Sequence, residues 1–180
     1  NYVLPPGVNR IIDSGQAQVT QLNEQSMSLK LTDLKAGDAR AVYKNTQLDL
    51  RLYKRLQMFN HAEALIDNAY GLKDGDLAVF VRLGSDVKQN YYEYEIPLKV
   101  TPAGKYSTYS TTDQYLVWPA ENMLDCELSV FTNLKTERNA AKRADSGVTY
   151  TTLFTGYDPE HQANKITVVG NPSLSDVRVI

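Results

Sequence analysis

Two histidines, one cysteine and one tryptophan are the scarce reactive side chains of this 180-residue chain. A nucleophilic triad needs a base beside its nucleophile, and only His61 and His161 could be that base. His61 lies in the alternating segment YKRLQMFNHAEA (53–64) and His161 in the polar turn DPEHQAN (158–164). Neither neighbours a G-x-S-x-G or a cysteine-nucleophile motif, so they read as one packed and one solvated histidine. Cys126 has no short-spaced Cys or His companion for zinc and reads as a small apolar residue. Glu93 and Glu95 share a strand face about 7 Å apart, near the separation that paired carboxylates need in glycoside hydrolysis. Lys88 and Lys99 lie close in sequence, and a polar outer strand face explains the pair without chemistry. No enzyme is expected.

Binding chemistry is the other possibility. No cofactor is expected, although the loop carboxylates Asp33, Asp38, Asp74 and Asp76 are of the type that calcium takes with backbone carbonyls. No segment fits an EF-hand, and turn-forming aspartates account for all four. A carbohydrate site needs aromatic platforms with planar polar partners. Arg82, Tyr91, Tyr92 and Trp118 could form one, with Tyr106 and Tyr109 as further rings. The same tyrosines also suit half-buried strands. Twelve Tyr stand against four Phe and one Trp.

The elements that must position these residues are mostly short strands. Lys and Arg number 19 against 21 Asp and Glu, a net charge of −2, which gives no electrostatic reason to expect nucleic acid or anionic lipid. The longest apolar run is Leu77 to Val81, too short for a membrane helix. Met27, Leu29 and Leu31 alternate with polar residues, as do Leu48, Leu50 and Leu52. LAVFVRL (77–83) is apolar on both faces, as a central strand would be. NYYEYEIPLKV (90–100) is the cleanest alternation, with Pro97 pointing to a sheet edge or a bulge. Gly37 and Gly75, each followed by Asp, mark tight turns. Residues 101–117 read as a long hairpin or surface loop. Leu124, Leu128, Phe131 and Leu134 lie on one helical stripe, which predicts a helix over 126–143, with a strand as the competing reading of 126–130. Segments 147–156, 164–170 and 174–180 are β-like. The chain is therefore expected to be one domain over 1–180, an antiparallel β-sandwich of jelly-roll, galactose-binding-like type, with residues 1–16 as an extended arm. Val177 and Val179 are expected in an ordered strand that reaches the core. The opening Asn1 and the closing VRVI suggest a domain excised from a much larger protein.

Several long segments in collinear order resemble one family: QLNEQSMSLKL (21–31), GDARAVYKN (37–45), YKRLQMFNHAEA (53–64), DGDLAVFVRLGSD (74–86), NYYEYEIPLKVTP (90–102), FTNLKTERN (131–139) and GNPSLSDVRVI (170–180). Together they resemble the SprA/Sov family, giant outer-membrane proteins of Bacteroidetes gliding motility and type IX secretion. The resemblance implies a structural or interaction domain of a protein-export translocon in the cell envelope. Its implied partners are the rest of the parent protein and other secretion components. It carries no catalytic motif over to any residue. Physics separates a barrel-wall segment from an insert. A transmembrane strand needs about ten residues with an unbroken apolar outer face, whereas Lys54, Arg55 and Glu63 interrupt 53–63. The domain itself is therefore not expected to insert into the membrane.

Overall fold

The structure is a computed structural model that describes residues 2–8, 12–13, 20–21, 26–65, 71–145 and 147–180. Its strands are β1 (Ile12–Asp13), β2 (Thr20–Gln21), β3 (Asn45–Leu48), β4 (Arg55–Met58), β5 (Ala78–Gly84), β6 (Tyr91–Pro97), β7 (Leu124–Glu127), β8 (Phe154–Tyr157), β9 (Lys165–Val169) and β10 (Val177–Val179). Two helices, α1 (Thr111–Val117) and α2 (Ser129–Ala144), complete it. Six strands form one antiparallel sheet in the order β3-β10-β5-β6-β9-β8, while β4 pairs with β7 and β1 with β2.

The mainly-β, antiparallel expectation holds, and one core unites the elements. Period-2 alternation places Leu83, Tyr92, Tyr94, Ile96, Ile166 and Val168 on the same sheet face, where Leu124, Cys126, Leu128, Phe131 and Leu134 close over them. The second layer is thus part strand and part helix. Phe131 stacks tilted on Tyr92 at 5.3 Å and edge-on to Tyr94 at 6.3 Å. Gly156 lets α2 approach: a Cβ there would lie 2.6 Å from Leu134 Cδ1.

β5 and β6 pair in full register from Ala78↔Pro97 to Gly84↔Tyr91. Their connection is tied by Asp86, whose Oδ1 accepts from the backbone N–H groups of Lys88 at 2.8 Å and Gln89 at 2.5 Å. These bonds, that of Gln89 foremost, draw the Asp86 carboxyl down to about 2. Pro97 sits in a central strand, contrary to the edge expectation. It is tolerated because the β9 ladder has already ended at Glu95↔Lys165. β10 is ordered as expected and runs antiparallel to both β3 and β5, with Val177 and Val179 buried.

Other expectations need correction. The predicted helix over 126–143 begins at Ser129, and of the competing strand reading of 126–130 only 126–127 hold, as the end of β7. The four stripe residues are all buried, but two of them precede the helix. Residues 27–32 form no strand, and Met27, Leu29 and Leu31 are 72%, 52% and 42% exposed. Within 101–117 stands α1, capped by the Ser110 hydroxyl, which accepts from the Asp113 N–H. Residues 2–8 of the expected arm do run without strand or helix, while 9–11 and 14–16 lie outside the described residues. The two glycine turns hold: Gly37 and Gly75 take φ of 85° and 84°.

Candidate functional site

The residues singled out for chemistry fall into four separate groups. The first is on the sheet face opposite the core. Arg82 and Glu93 are direct cross-strand partners, and the Arg82 Nε donates to Glu93 Oε2 at 2.6 Å while Nη1 donates to the Val87 carbonyl at 2.7 Å. The guanidinium lies 4.3 Å from the Tyr91 ring centroid and 5.2 Å from that of Phe80. Burial pushes the Tyr91 phenol up, with the Arg82 charge opposing it. One register step along, Lys165 Nζ donates to Glu95 Oε1 at 2.6 Å. Both members of the carboxylate pair are therefore held in ion pairs.

The second group is the core itself. Tyr92 is 1% exposed, its hydroxyl donating to the Pro172 carbonyl at 3.1 Å, and burial pushes the phenol up to about 12. Cys126 is wholly buried on β7, and its thiol is likewise pushed up to about 12. Few thiolates form at that value, so the cysteine is unreactive packing.

A third group had no signal in sequence, because its members lie 64 and 70 residues apart. The Tyr94 hydroxyl donates to Asp158 Oδ2 at 2.5 Å and accepts from Asn164 Nδ2 at 3.0 Å. Burial, then the bond to Asp158, raises the Tyr94 phenol. His161 Nδ1 stands 3.5 Å from the same Asp158 oxygen. This cluster fastens the β8–β9 turn to the core. Beside it Arg55 reaches three carboxylates: Asp125 at 2.8 Å, Glu127 at 3.2 Å and Glu160 at 3.1 Å. Burial opposes ionisation of Asp125, but hydrogen bonds from Arg55 and Gln57 prevail and hold its carboxyl low.

The fourth group surrounds Trp118. Its ring meets Tyr2 at 6.2 Å, Phe59 at 6.2 Å and His61 at 5.7 Å. Its Nε1–H donates to the Val3 carbonyl at 2.9 Å, so this ring anchors residues 2–3. His61 Nδ1 lies 2.8 Å from the Val117 carbonyl, which places the proton on that nitrogen. Thr101 joins the cluster through its hydroxyl, 3.2 Å from His61 Nδ1.

Arg82 and Tyr91 thus stand together, Tyr92 points into the core from the other sheet face, and Trp118 is elsewhere. Tyr91 opens β6, and Thr101 lies beyond its far end, about 30 Å along the chain at ~3.3 Å per residue. Tyr106 donates to the Pro102 carbonyl, and Tyr109 is 96% exposed without a ring partner among the described residues. The loop aspartates serve turns: Asp38 accepts from the Lys35 N–H, Asp76 from that of Lys73, and Asp74 from that of Val100. Among the described residues no three His, Cys, Asp or Glu side chains come together as a metal site would require.

Fold and contacts define a mainly-β, antiparallel domain in which charged side chains largely answer one another. More particularly, the family model of the motility related/secretion protein SprA_N matches residues 1–180, and the chain belongs to that family. A comparison with curated proteins finds no match. Membership fits a place in the cell envelope, and no helix among the described residues is long and apolar enough to cross a membrane.

Proposed function

We propose that this chain is a non-catalytic structural and interaction domain of an outer-membrane translocon serving type IX protein secretion and gliding motility in Bacteroidetes. The observation that carries this reading, beside the family, is the reciprocal pairing of its chemistry-bearing groups. Arg82 is matched to Glu93, Lys165 to Glu95, and Arg55 to Asp125, Glu127 and Glu160. An acid–base catalyst needs a group free to exchange a proton with substrate, and a pairing of this kind favours rigidity instead. The rest of the parent protein and other secretion components are the partners. With a net charge of −2, no nucleic acid is included. The carbohydrate reading has no observation in its favour, since Arg82, Tyr91, Tyr92 and Trp118 make no common platform.

The test is in cells. Deleting residues 1–180 from the parent protein should abolish export of secreted cargo and gliding, and the intact domain should crosslink to other envelope components. Export at the wild-type level in the deletion strain overturns the reading. Glycan-array binding that disappears in Trp118→Ala would replace it with the carbohydrate alternative.

A further inference from the structure

One charged region breaks the pattern of pairing. Arg138 is wholly buried on α2, yet no carboxylate pairs with it among the described residues. Its Nη1 donates to the Gly170 carbonyl at 2.6 Å, and Nε and Nη2 both donate to Asn139 Oδ1, at 3.3 and 3.1 Å. Burial pulls its guanidinium down, opposed by Tyr150 and Tyr92. Two further cations share its side of the helix at i−3 and i+4. Lys135, drawn down by burial and by the Arg138 charge, donates to the Pro172 carbonyl at 2.7 Å, and Lys142 stands 4.6 Å over the Tyr150 ring. A buried cation held only by neutral dipoles leaves net positive potential around it.

Asn139 and Gly170, which hold Arg138, line a cleft of about 610 Å³ together with Lys88, Tyr150, Thr151 and Asn171 among others. No carboxylate lines it. The nearest along the hairpin turn, Asp86, is engaged with the N–H groups of Lys88 and Gln89 and with the Asn90 side chain. Because Asn139 Oδ1 accepts from Arg138, its amide nitrogen remains as a donor. Gly170, at φ +71°, allows the wall to close: a Cβ there would fall 1.9 Å from the Gln89 carbonyl oxygen. The segment bearing Tyr150 and Thr151 leads into β8, the terminal strand of the six-stranded sheet, which among the described residues pairs with β9 alone. Such an edge accepts an added extended strand.

We propose that this cleft captures an acidic segment of a polypeptide, its carboxylate seated between Lys88 and Asn139 beside Arg138 and its backbone laid along β8. The inference deepens the reading above by naming the partner's chemistry, and rests on it only for the partner being a polypeptide. The test is fluorescence anisotropy of the 180-residue chain with a labelled Thr-Val-Glu-Val-Glu-Val-Thr peptide and its Gln counterpart. The Glu peptide should bind and the Gln peptide should bind roughly tenfold more weakly, with the difference shrinking at high salt. Lys88→Glu with Lys142→Glu should lose binding. Asn139→Asp should lose it as well while melting no lower than wild type, because the new carboxylate gives Arg138 its counter-charge. No binding of the Glu peptide, equal binding of both peptides, or intact binding in Asn139→Asp overturns the proposal. So does displacement of the Glu peptide by an equal concentration of inorganic phosphate, which would mark a pocket for any small anion. Failure here with loss of export in the deletion strain would sink this inference alone.

Discussion

The centre of the six-stranded sheet and one side of α2 treat charge in opposite ways. On β5, β6 and β9 each cation meets a carboxylate across one register step: Arg82 with Glu93 and Lys165 with Glu95. On α2 three cations, Lys135, Arg138 and Lys142, face backbone carbonyls, an amide and an aromatic ring. Antiparallel register sets the first pattern, since residues directly opposite are neighbours. No such rule supplied the second. A region with its charges matched internally is suited to holding shape, and one with unmatched charge is suited to receiving something.

Perturbing the shared framework should have the largest effect. Truncation after Leu174 removes β10 from between β3 and β5, takes the buried Val177 and Val179 out of the core and exposes the β5 edge, at a cost of about 4 kcal/mol. Thermal melting should show a large drop and aggregation; an unchanged midpoint would refute the role given to β10. A shift from pH 8 to pH 11 should be nearly as severe. Cys126 and Tyr92 have ordinary values of 9.0 and 10.0 and are each raised to about 12 in the fold. A raised group lends stability that is complete below its unfolded value and is lost as pH climbs towards the folded one. Between them about 4 kcal/mol should disappear by pH 11, and Cys126→Ala should abolish most of that slope in denaturant titrations.

The next two changes sharpen the comparison itself. Arg82→Met leaves Glu93 without its cation and should destabilise by about 2 kcal/mol, less than a deep pair because Arg82 is partly exposed. Asn139→Asp should act in the other direction, adding about 1 kcal/mol, since Arg138 gains the partner it lacks. If Arg82→Met were neutral and Asn139→Asp destabilising, the contrast between the two regions would be wrong. The smallest effect is expected for Met27→Ser with Leu29→Ser, within about 0.5 kcal/mol, as neither side chain is buried.

Much of this was legible in sequence, and what was not has physical causes. The segments 90–100 and 27–32 both alternate, yet only the first contains a strand. Tyr91–Pro97 has β5 as a hairpin partner, whereas 27–32 has no neighbour to bond with among the described residues. Periodicity reports which face a strand would bury, not whether a partner exists. Helix α1 lies in a stretch that reads as a long hairpin or surface loop because it is rich in Ser, Thr and Tyr, although Ser110 three residues before Asp113 is a capping signal. Arg138, Lys142 and Arg143 together follow the charge order that a helix dipole favours, a pattern that carries no sign of burial. The burial of Arg138 depends on the Gly170 loop, which no local pattern links to 138. The pairing of Tyr94 with Asp158 and Asn164 was hidden for the same reason. Of the carbohydrate residues, register alone separates Tyr91 from Tyr92, and only tertiary structure removes Trp118 from Arg82.

The proposed function has the chain acting by contact and not by turnover. Glu93, Glu95 and His161, like His61, are side chains that sequence makes candidates for acid–base chemistry. Cells whose only copy of the parent protein carries Glu93→Gln, Glu95→Gln and His161→Gln should be assayed for cargo export, with the melting transition of the variant chain measured alongside. Export at the wild-type rate is the expected result. Export abolished in a variant that still shows its cooperative melting transition would contradict it.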